Sequence, residues 1–565
     1  MLKNQVSKID QVEARSGAKI LLEVLESEGV EYVFGNPGTT ELPFIDALGD
    51  SSVISYIWGL QEASVVAMAD GYAQASGRPG FINLHTAGGL GHGFGNLLNA
   101  SIAGTPLVVT AGQQDSRHSV TDPLLFGDLV RIATPAVKWA QEVATPEQLP
   151  ILVRRAFQDC CAAKSGPVFL SLPMDVMEEM STIPIPEHSY VDRRPVAGSL
   201  ELLAEELAAI TPGRIVIVAG DEISFHNAAA EVVELAEILA APVYGSSWPA
   251  HIPFPTSHPL WAGNLPTKST EIAERLKDAE CVFGLGGKSF ITVLYTEGSA
   301  LPKNCKLFQM SVDGSDLGRT YPSKLSVVGD IQKSLEVLNK LLKDKVADKA
   351  GAFSDLRQKA VAAQTARREQ LSQTAAGLFS NQSIHPLVAA QQVVRAIGPD
   401  IAIVDEALVT TNHVRSFLDS NSVRQYSFLR GGALGWGMPA AVGFSLGLGR
   451  EPVVCLVGDG AAMYSPQALW TAVHENLPIT FIVMNNCEYN ILKQFMKSQK
   501  HYNLTPKICS IAMDIVNPAI DFIALGQSMG VPAIRVVCAG DIAATVEAGI
   551  ASGKPNLIEI VIGVV

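Results

Sequence analysis

Short apolar runs alternate with amphipathic stretches along nearly the whole chain. The runs YVFGNPG, PGFINLH, PLVVTAG, VFLSLP, RIVIVAG, CVFGLGG, IAIVDE, PVVCLVGDG and ITFIVMNN are of strand length, and most close on glycine or a polar residue. Between them lie stretches with helical spacing, such as GAKILLEVLESEGV and LELLAEELAAI. This alternation predicts βαβ units and parallel sheets, an α/β fold. Ligands in such sheets sit beyond the carboxyl ends of the strands, where the polar residues fall here.

Two stretches interrupt the alternation. One is the proline-rich segment IPIPEHSYVDRRPVAG, and the other is the polar helical stretch KDKVADKAGAFSDLRQKAVAAQTARREQLSQ, after which a new α/β pattern begins near Ile384. They divide the chain into three doubly wound parts, residues 1–190, 196–345 and 375–565, with boundaries good to about ten residues.

Composition narrows the function. The 565 residues carry a net charge of −14 with 47% hydrophobic content, enough for a large core. An acidic chain without a basic stripe is a poor nucleic-acid binder. No apolar run approaches the ~20 residues of a membrane span, and the first residues, MLKNQVSKIDQVEARSGAK, lack the apolar core of a secretion signal. Eight scattered cysteines, none in a CxxC pair, fit buried free thiols in a reducing cytoplasm.

The strongest local chemistry lies in PVVCLVGDGAAMYSPQALWTAVHENLPITFIVMNN. Asp459 follows one buried strand, and Asn485 and Asn486 follow the next. Adjacent parallel strands would bring Asp459 and Asn486 together. One carboxylate and one amide oxygen suit Mg²⁺, which keeps other positions for phosphate oxygens. Gly458 and Gly460 permit close backbone approach, and the following helix offers its N-terminus to an anion. The pattern describes a Mg²⁺–diphosphate anchor. The Gly287-Lys288-Ser289 triplet is no P-loop, because Val282 stands where that motif needs glycine.

The GDG…NN unit resembles the signature of thiamine diphosphate (ThDP) enzymes. VFGNPGTTELPF, GLQEASVVAMADGYAQAS, INLHTAGGLGHGFGNLLNA, LVVTAGQQ, GGALGWGMPAAVG and GDGAAMYSPQALWTA extend the likeness in order, and resemble the benzoylformate decarboxylases most. The resemblance implies pyrimidine-binding, middle and diphosphate-binding domains. It implies active sites between the first domain of one subunit and the third of its partner, so at least a dimer and often a tetramer.

Site roles also follow from the resemblance. Glu62 is expected on the pyrimidine ring nitrogen, Leu434 beneath the bent cofactor, and the Gly432 carbonyl on the 4′-amino group. Gly458, Gly460, Ala461 and Tyr489 belong to the same cofactor-binding stretches. Asp459, Asn486 and the backbone carbonyl of Glu488 are expected to hold Mg²⁺. Thr39 stands at the position of a serine that can hold the substrate carboxylate. His85 matches the active-site histidine, whose near-neutral pKa suits proton transfer. Gln113 and Gln114 match a further family motif.

The likeness weakens at the substrate. Val293 stands where the family has a second histidine, and its stretch GGKSFITVLYTEG has none; His118 is a possible substitute. Ile491 replaces a small residue, Leu408 a hydroxyl residue, and Phe495 keeps an aromatic. The wall is therefore more apolar and tighter, which favours an aliphatic or slim substrate. The reading is a ThDP- and Mg²⁺-dependent decarboxylase releasing aldehyde from a 2-oxo acid. The alternative is a carboligase forming an acyloin or acetohydroxy acid, with an FAD-bearing acetolactate-synthase-like chain as a subtype. A silent regulatory subunit would require loss of Glu62, Leu434, Asp459 and Asn486, all of which are present.

Overall fold

The computed structural model describes residues 13–380, 382–421, 425–499 and 501–564. Most of the N-terminal segment read above for a secretion signal, and the terminal Val565, lie outside them.

Among the described residues, three six-stranded parallel sheets carry the fold, beside a two-stranded antiparallel pair of Arg15–Ser16 with Met180–Ser181. The first contains β1 (Tyr32–Gly35), β2 (Ser55–Trp58), β3 (Gly80–His85), β4 (Leu107–Gln113), β5 (Ala140–Glu142) and β6 (Val168–Pro173), in the order β2-β1-β3-β4-β6-β5. The second contains β7 (Ile215–Ala219), β8 (Val243–Gly245), β9 (Trp261–Asn264), β10 (Cys281–Leu285), β11 (Lys306–Ser311) and β12 (Leu325–Val328), in the order β9-β8-β7-β10-β11-β12. The third contains β13 (Ala402–Glu406), β14 (Tyr426–Phe428), β15 (Val453–Gly458), β16 (Ile479–Asn485), β17 (Ala533–Val536) and β18 (Asn556–Val561), in the order β14-β13-β15-β16-β18-β17.

The apolar runs became strands because helices cover both faces, so β4 and β16 are buried at every position. The first and third sheets share one strand order, which no sequence repeat announces. The polar stretch between the second and third sheets is the helix Ala350–Leu378, with only Phe353 and Ala375 buried.

The chain packs as two compact units, divided after Val191. The second and third sheets share the larger one. A single apolar core runs from Leu200 and Leu235 of the middle part to Val393, Ile482 and Ile560 of the last. No two of the eight cysteines form a disulfide; Cys160, Cys281 and Cys455 are buried, Cys161, Cys305, Cys487 and Cys509 half-buried, and Cys538 exposed, so the expectation of buried thiols holds for three. Among the described residues no helix is long and apolar enough to cross a membrane.

Candidate active site

Open parallel sheets bind ligands where the strand order reverses. In the first sheet that point lies between β1 and β3. The turn after β1 carries Gly38, Thr39, Thr40 and Glu41, and β3 ends on His85. The Glu41 carboxylate is buried and accepts from the backbone N–H of Gly38 (2.9 Å) and Gly112 (3.0 Å) and from the Thr40 hydroxyl (2.7 Å). His85 Nδ1 lies 2.9 Å from Glu41 Oε2 and 3.0 Å from Thr40 Oγ1. The hydrogen bond to Glu41 raises the His85 pKa above its ordinary value, against the opposing effect of burial.

Two glycines make room for this cluster. A Cβ at Gly38 would sit 2.3 Å from the His85 ring, and one at Gly112 would sit 2.1 Å from Glu41 Oε1. The GNPG and TAGQQ motifs are thus steric requirements of one buried carboxylate. Thr39 is exposed, and its neighbour Thr40 is the hydroxyl that meets His85.

Glu62 opens the helix Glu62–Ser76, but Gln61 makes the cap by accepting from the Ser64 N–H at 3.1 Å. The Glu62 carboxylate is left to face elsewhere. Oε1 accepts from Asn36 Nδ2 at 3.2 Å, and Oε2 lies 3.2 Å from His92 Nδ1. Both polar ends of Gln113 are engaged with backbone, Nε2 on the Gly127 carbonyl (2.7 Å) and Oε1 on the Gln114 N–H (2.9 Å). His118 is exposed on the short turn Ser116–Thr121.

The third sheet reverses between β13 and β15, and a cavity of about 190 Å³ opens there. Leu408, Leu434, Gly458, Asp459, Gly460, Ala461, Asn486, Glu488, Tyr489 and Ile491 all line it. Strands β15 and β16 pair with Gly458 beside Met484, so the residues that follow them converge as their spacing predicted. Burial pushes the Asp459 carboxyl up to about 6, although the backbone N–H groups of 486–488 face it.

This corner suits a divalent cation. Asp459 Oδ2 is buried without a hydrogen-bond partner, and so is Asn490 Oδ1. A Cβ on Gly458 would meet nothing within 4 Å, leaving an open cradle. The Glu488 side chain is ion-paired through Oε2 to Lys493, itself 2.6 Å from Asp514, while its Oε1 is buried without a hydrogen-bond partner and stands beside the backbone carbonyl as a further oxygen at this corner. Asn485 is spent on structure, donating to Glu559 at 2.7 Å. Gly460 serves Tyr489, whose ring would lie 2.3 Å from an added Cβ. The helix after Asp459 is a single turn, Asp459–Ala462, broken before Ala468–His474.

Glu406, at the end of β13, escaped the sequence reading. Its buried carboxylate accepts from the N–H groups of Gly435 (2.8 Å) and Gly437 (2.6 Å), fixing the loop that presents Gly432 and Leu434. Gly435 has φ +91°, and Gly432 φ +85°, left-handed conformations that glycine tolerates. Burial pushes the Glu406 carboxyl up to about 7. Leu408 (φ +51°), Cys487 (φ +57°) and Thr86 (φ +50°) are held in the same region without being glycine. Such strained residues concentrate at functional sites. Phe495 lies on the helix Asn490–Ser498 and lines a second, larger cavity beyond Leu408 and Ile491.

The second sheet reverses between β7 and β10. Glu222, just beyond β7, accepts from the Ser311 hydroxyl (2.8 Å) and the Val312 N–H (3.0 Å) at the end of β11.

Comparison with known proteins agrees with this geometry. Three family models match in order: thiamine pyrophosphate enzyme, N-terminal TPP binding domain (residues 15–132), central domain (203–338) and C-terminal TPP binding domain (409–560). A benzoylformate decarboxylase of Pseudomonas aeruginosa is 32% identical over 95% of this chain and 97% of its own. Acetolactate synthase 1 of Nicotiana tabacum is 26% identical over 99% of this chain and 83% of its own. The solved ThDP-dependent 4-hydroxybenzoylformate decarboxylase of Rhodococcus jostii RHA1 superposes with a TM-score of 0.85 at 28% identity, covering 97% of this chain and 99% of that one. The two switch-point clusters and the match along the whole chain thus have one source, and the chain belongs to the thiamine diphosphate-dependent enzyme family.

Proposed function

We propose that the chain is a ThDP- and Mg²⁺-dependent decarboxylase that converts a 2-oxo acid to an aldehyde. The observation that carries this reading is the Glu41–Thr40–His85 cluster. It holds an imidazole at a sheet switch point and raises its pKa, which fits a proton donor at neutral pH.

When bound, ThDP supplies the nucleophilic carbon and the electron sink that CO₂ loss requires. Glu62 holds and returns a proton at the pyrimidine ring nitrogen, braced by Asn36 and His92. Leu434 and the Gly432 carbonyl orient the two rings, on a loop pinned by Glu406. Asp459, Asn486 and the Glu488 carbonyl would hold Mg²⁺, which would supply the positive charge that anchors the diphosphate. His85 donates a proton to the substrate's reacting carbon, and Thr39 holds its carboxylate. Leu408, Ile491 and Phe495 form the substrate wall, and the resemblance adds Gln113 to the substrate-pocket residues.

The reading extends to three domains within 1–190, 196–345 and 375–565, to self-association as a dimer or tetramer, and to a cytoplasmic location, which eight cysteines outside disulfides suit. Carboligation is the second reading, supported by the acetolactate synthase relatives. Incubation of the holoenzyme with 2-oxo acids, alone and with an acceptor aldehyde, separates the two. Aldehyde equal to CO₂ supports decarboxylation, and a hydroxyketone as main product supports carboligation.

A further inference from the structure

The larger cavity has a volume of about 690 Å³, within the range of small-molecule sites. It shares Leu408, Val409 and Ile491 with the cofactor cavity, so one three-residue wall faces both. A short aliphatic 2-oxo acid would fill a small part of such a space. The two cavities adjoin at these three residues, and the larger one offers room beyond them.

The charge of the larger cavity is opposite to that of the chain. Arg275 ends the helix Ser269–Arg275, Arg367 and Arg368 lie on Ala350–Leu378, and Arg415 lies on Thr411–Phe417. All four line the cavity, with Glu271 the one lining carboxylate, itself 3.3 Å from Lys268. Arg368 is neutralised by Asp419 at 2.6 Å. Among the described residues, no carboxylate lies within ion-pair distance of the other three, although buried Asp405 faces Arg415 through the Tyr426 hydroxyl, which donates to it at 2.8 Å, so Arg275 and Arg367 are the two left without a carboxylate. Arg367 donates to the Trp261 carbonyl (3.3 Å), and Arg415 donates to the Tyr426 hydroxyl (2.9 Å) with its guanidinium 4.4 Å over the Phe428 ring. Arg415 Nη2 and the Ser247 hydroxyl are buried without partners. Burial and the nearby charges of Arg368 and Arg275 lower the Arg367 pKa. Like charges gathered around a cavity with free donors repel one another until an anion joins them.

We propose that this cavity receives a second acidic group, so that the preferred substrates are 2-oxo acids carrying a terminal carboxylate at the end remote from the ketone. The 2-oxo end addresses the cofactor corner, and the distal carboxylate takes charge-assisted hydrogen bonds from Arg275, Arg367 and Arg415. This specificity rests on the decarboxylase reading, while the cavity's anion affinity does not.

The test compares 2-oxo acids of matched chain length, 2-oxopentanedioate with 2-oxopentanoate and 2-oxohexanedioate with 2-oxohexanoate. It measures kcat/KM for CO₂ release by the holoenzyme. The diacid is expected to lead by at least about tenfold at one length, the scale of one charge-assisted bond. Arg275→Met and Arg367→Met are expected to collapse that ratio toward one, mainly through KM. In parallel, calorimetry of the unreactive dianion pentanedioate is expected to show binding that both variants weaken. Equal or better turnover of the monoacids, with binding indifferent to the variants, would overturn the proposal. Arginine-dependent binding without CO₂ from any acid would uphold the anion site and overturn the decarboxylase reading and the substrate preference.

Discussion

At the scale of single residues, the site depends on carboxylates that touch backbone more than side chains. Glu41 binds two glycine N–H groups and sets the state of His85. Because the folded His85 pKa is raised, the pair contributes stability below the unfolded value near about 6.5, and that contribution is lost as pH rises through the folded value. Glu41→Gln removes the charge and keeps an acceptor oxygen. The His85 titration, followed by NMR, is expected to move down toward its ordinary value, and the alkaline limb of kcat against pH with it. An unshifted titration would separate Glu41 from His85 chemistry. Asp459 and Asn486 were legible in the sequence, because each directly follows a recognisable strand. Glu41, Asn36 and Glu406 were not, because their partners lie on elements that only tertiary folding brings near.

At the scale of elements, the loop between β14 and the helix Gly437–Gly447 is held by Glu406 from β13. Glu406→Gln turns an amide N–H toward backbone donors that now lack an acceptor. Loss of about 1–3 kcal/mol of stability is expected, read as a lower melting temperature, with ThDP affinity weakened as Leu434 loosens. An unchanged ThDP Kd would show that the loop is set by other contacts. The strands themselves were readable from apolar runs bounded by glycine and acidic residues. The turn after Asp459 was expected to open a longer helix. It breaks after one turn at a Ser465-Pro466 step, where Ser465 donates to the Gly435 carbonyl at 2.6 Å and joins the two loops.

At the scale of the whole molecule, the first and third sheets repeat one strand order and place their candidate site clusters at the same reversal. The sequence pattern showed three α/β parts but not this kinship, since sheet order depends on crossovers that periodicity does not encode. Nor did it show that the second and third sheets share a core. If Mg²⁺ anchors the diphosphate at Asp459, its loss reaches the whole molecule. Removing Mg²⁺ with EDTA is expected to release ThDP and lower the melting temperature of the holoenzyme, and Asp459→Asn to reproduce the loss of ThDP with Mg²⁺ present. Tight ThDP binding by the stripped protein would contradict it.

The most direct measurement is CO₂ release from a panel of 2-oxo acids by the ThDP- and Mg²⁺-loaded enzyme, with products identified by mass, beside the Glu62→Gln variant. CO₂ with an equal amount of aldehyde is expected, nearly abolished in a Glu62→Gln protein that melts as the parent does. A hydroxyketone as the main product, full activity in the variant, or no CO₂ from any acid despite bound ThDP would contradict the decarboxylase mechanism.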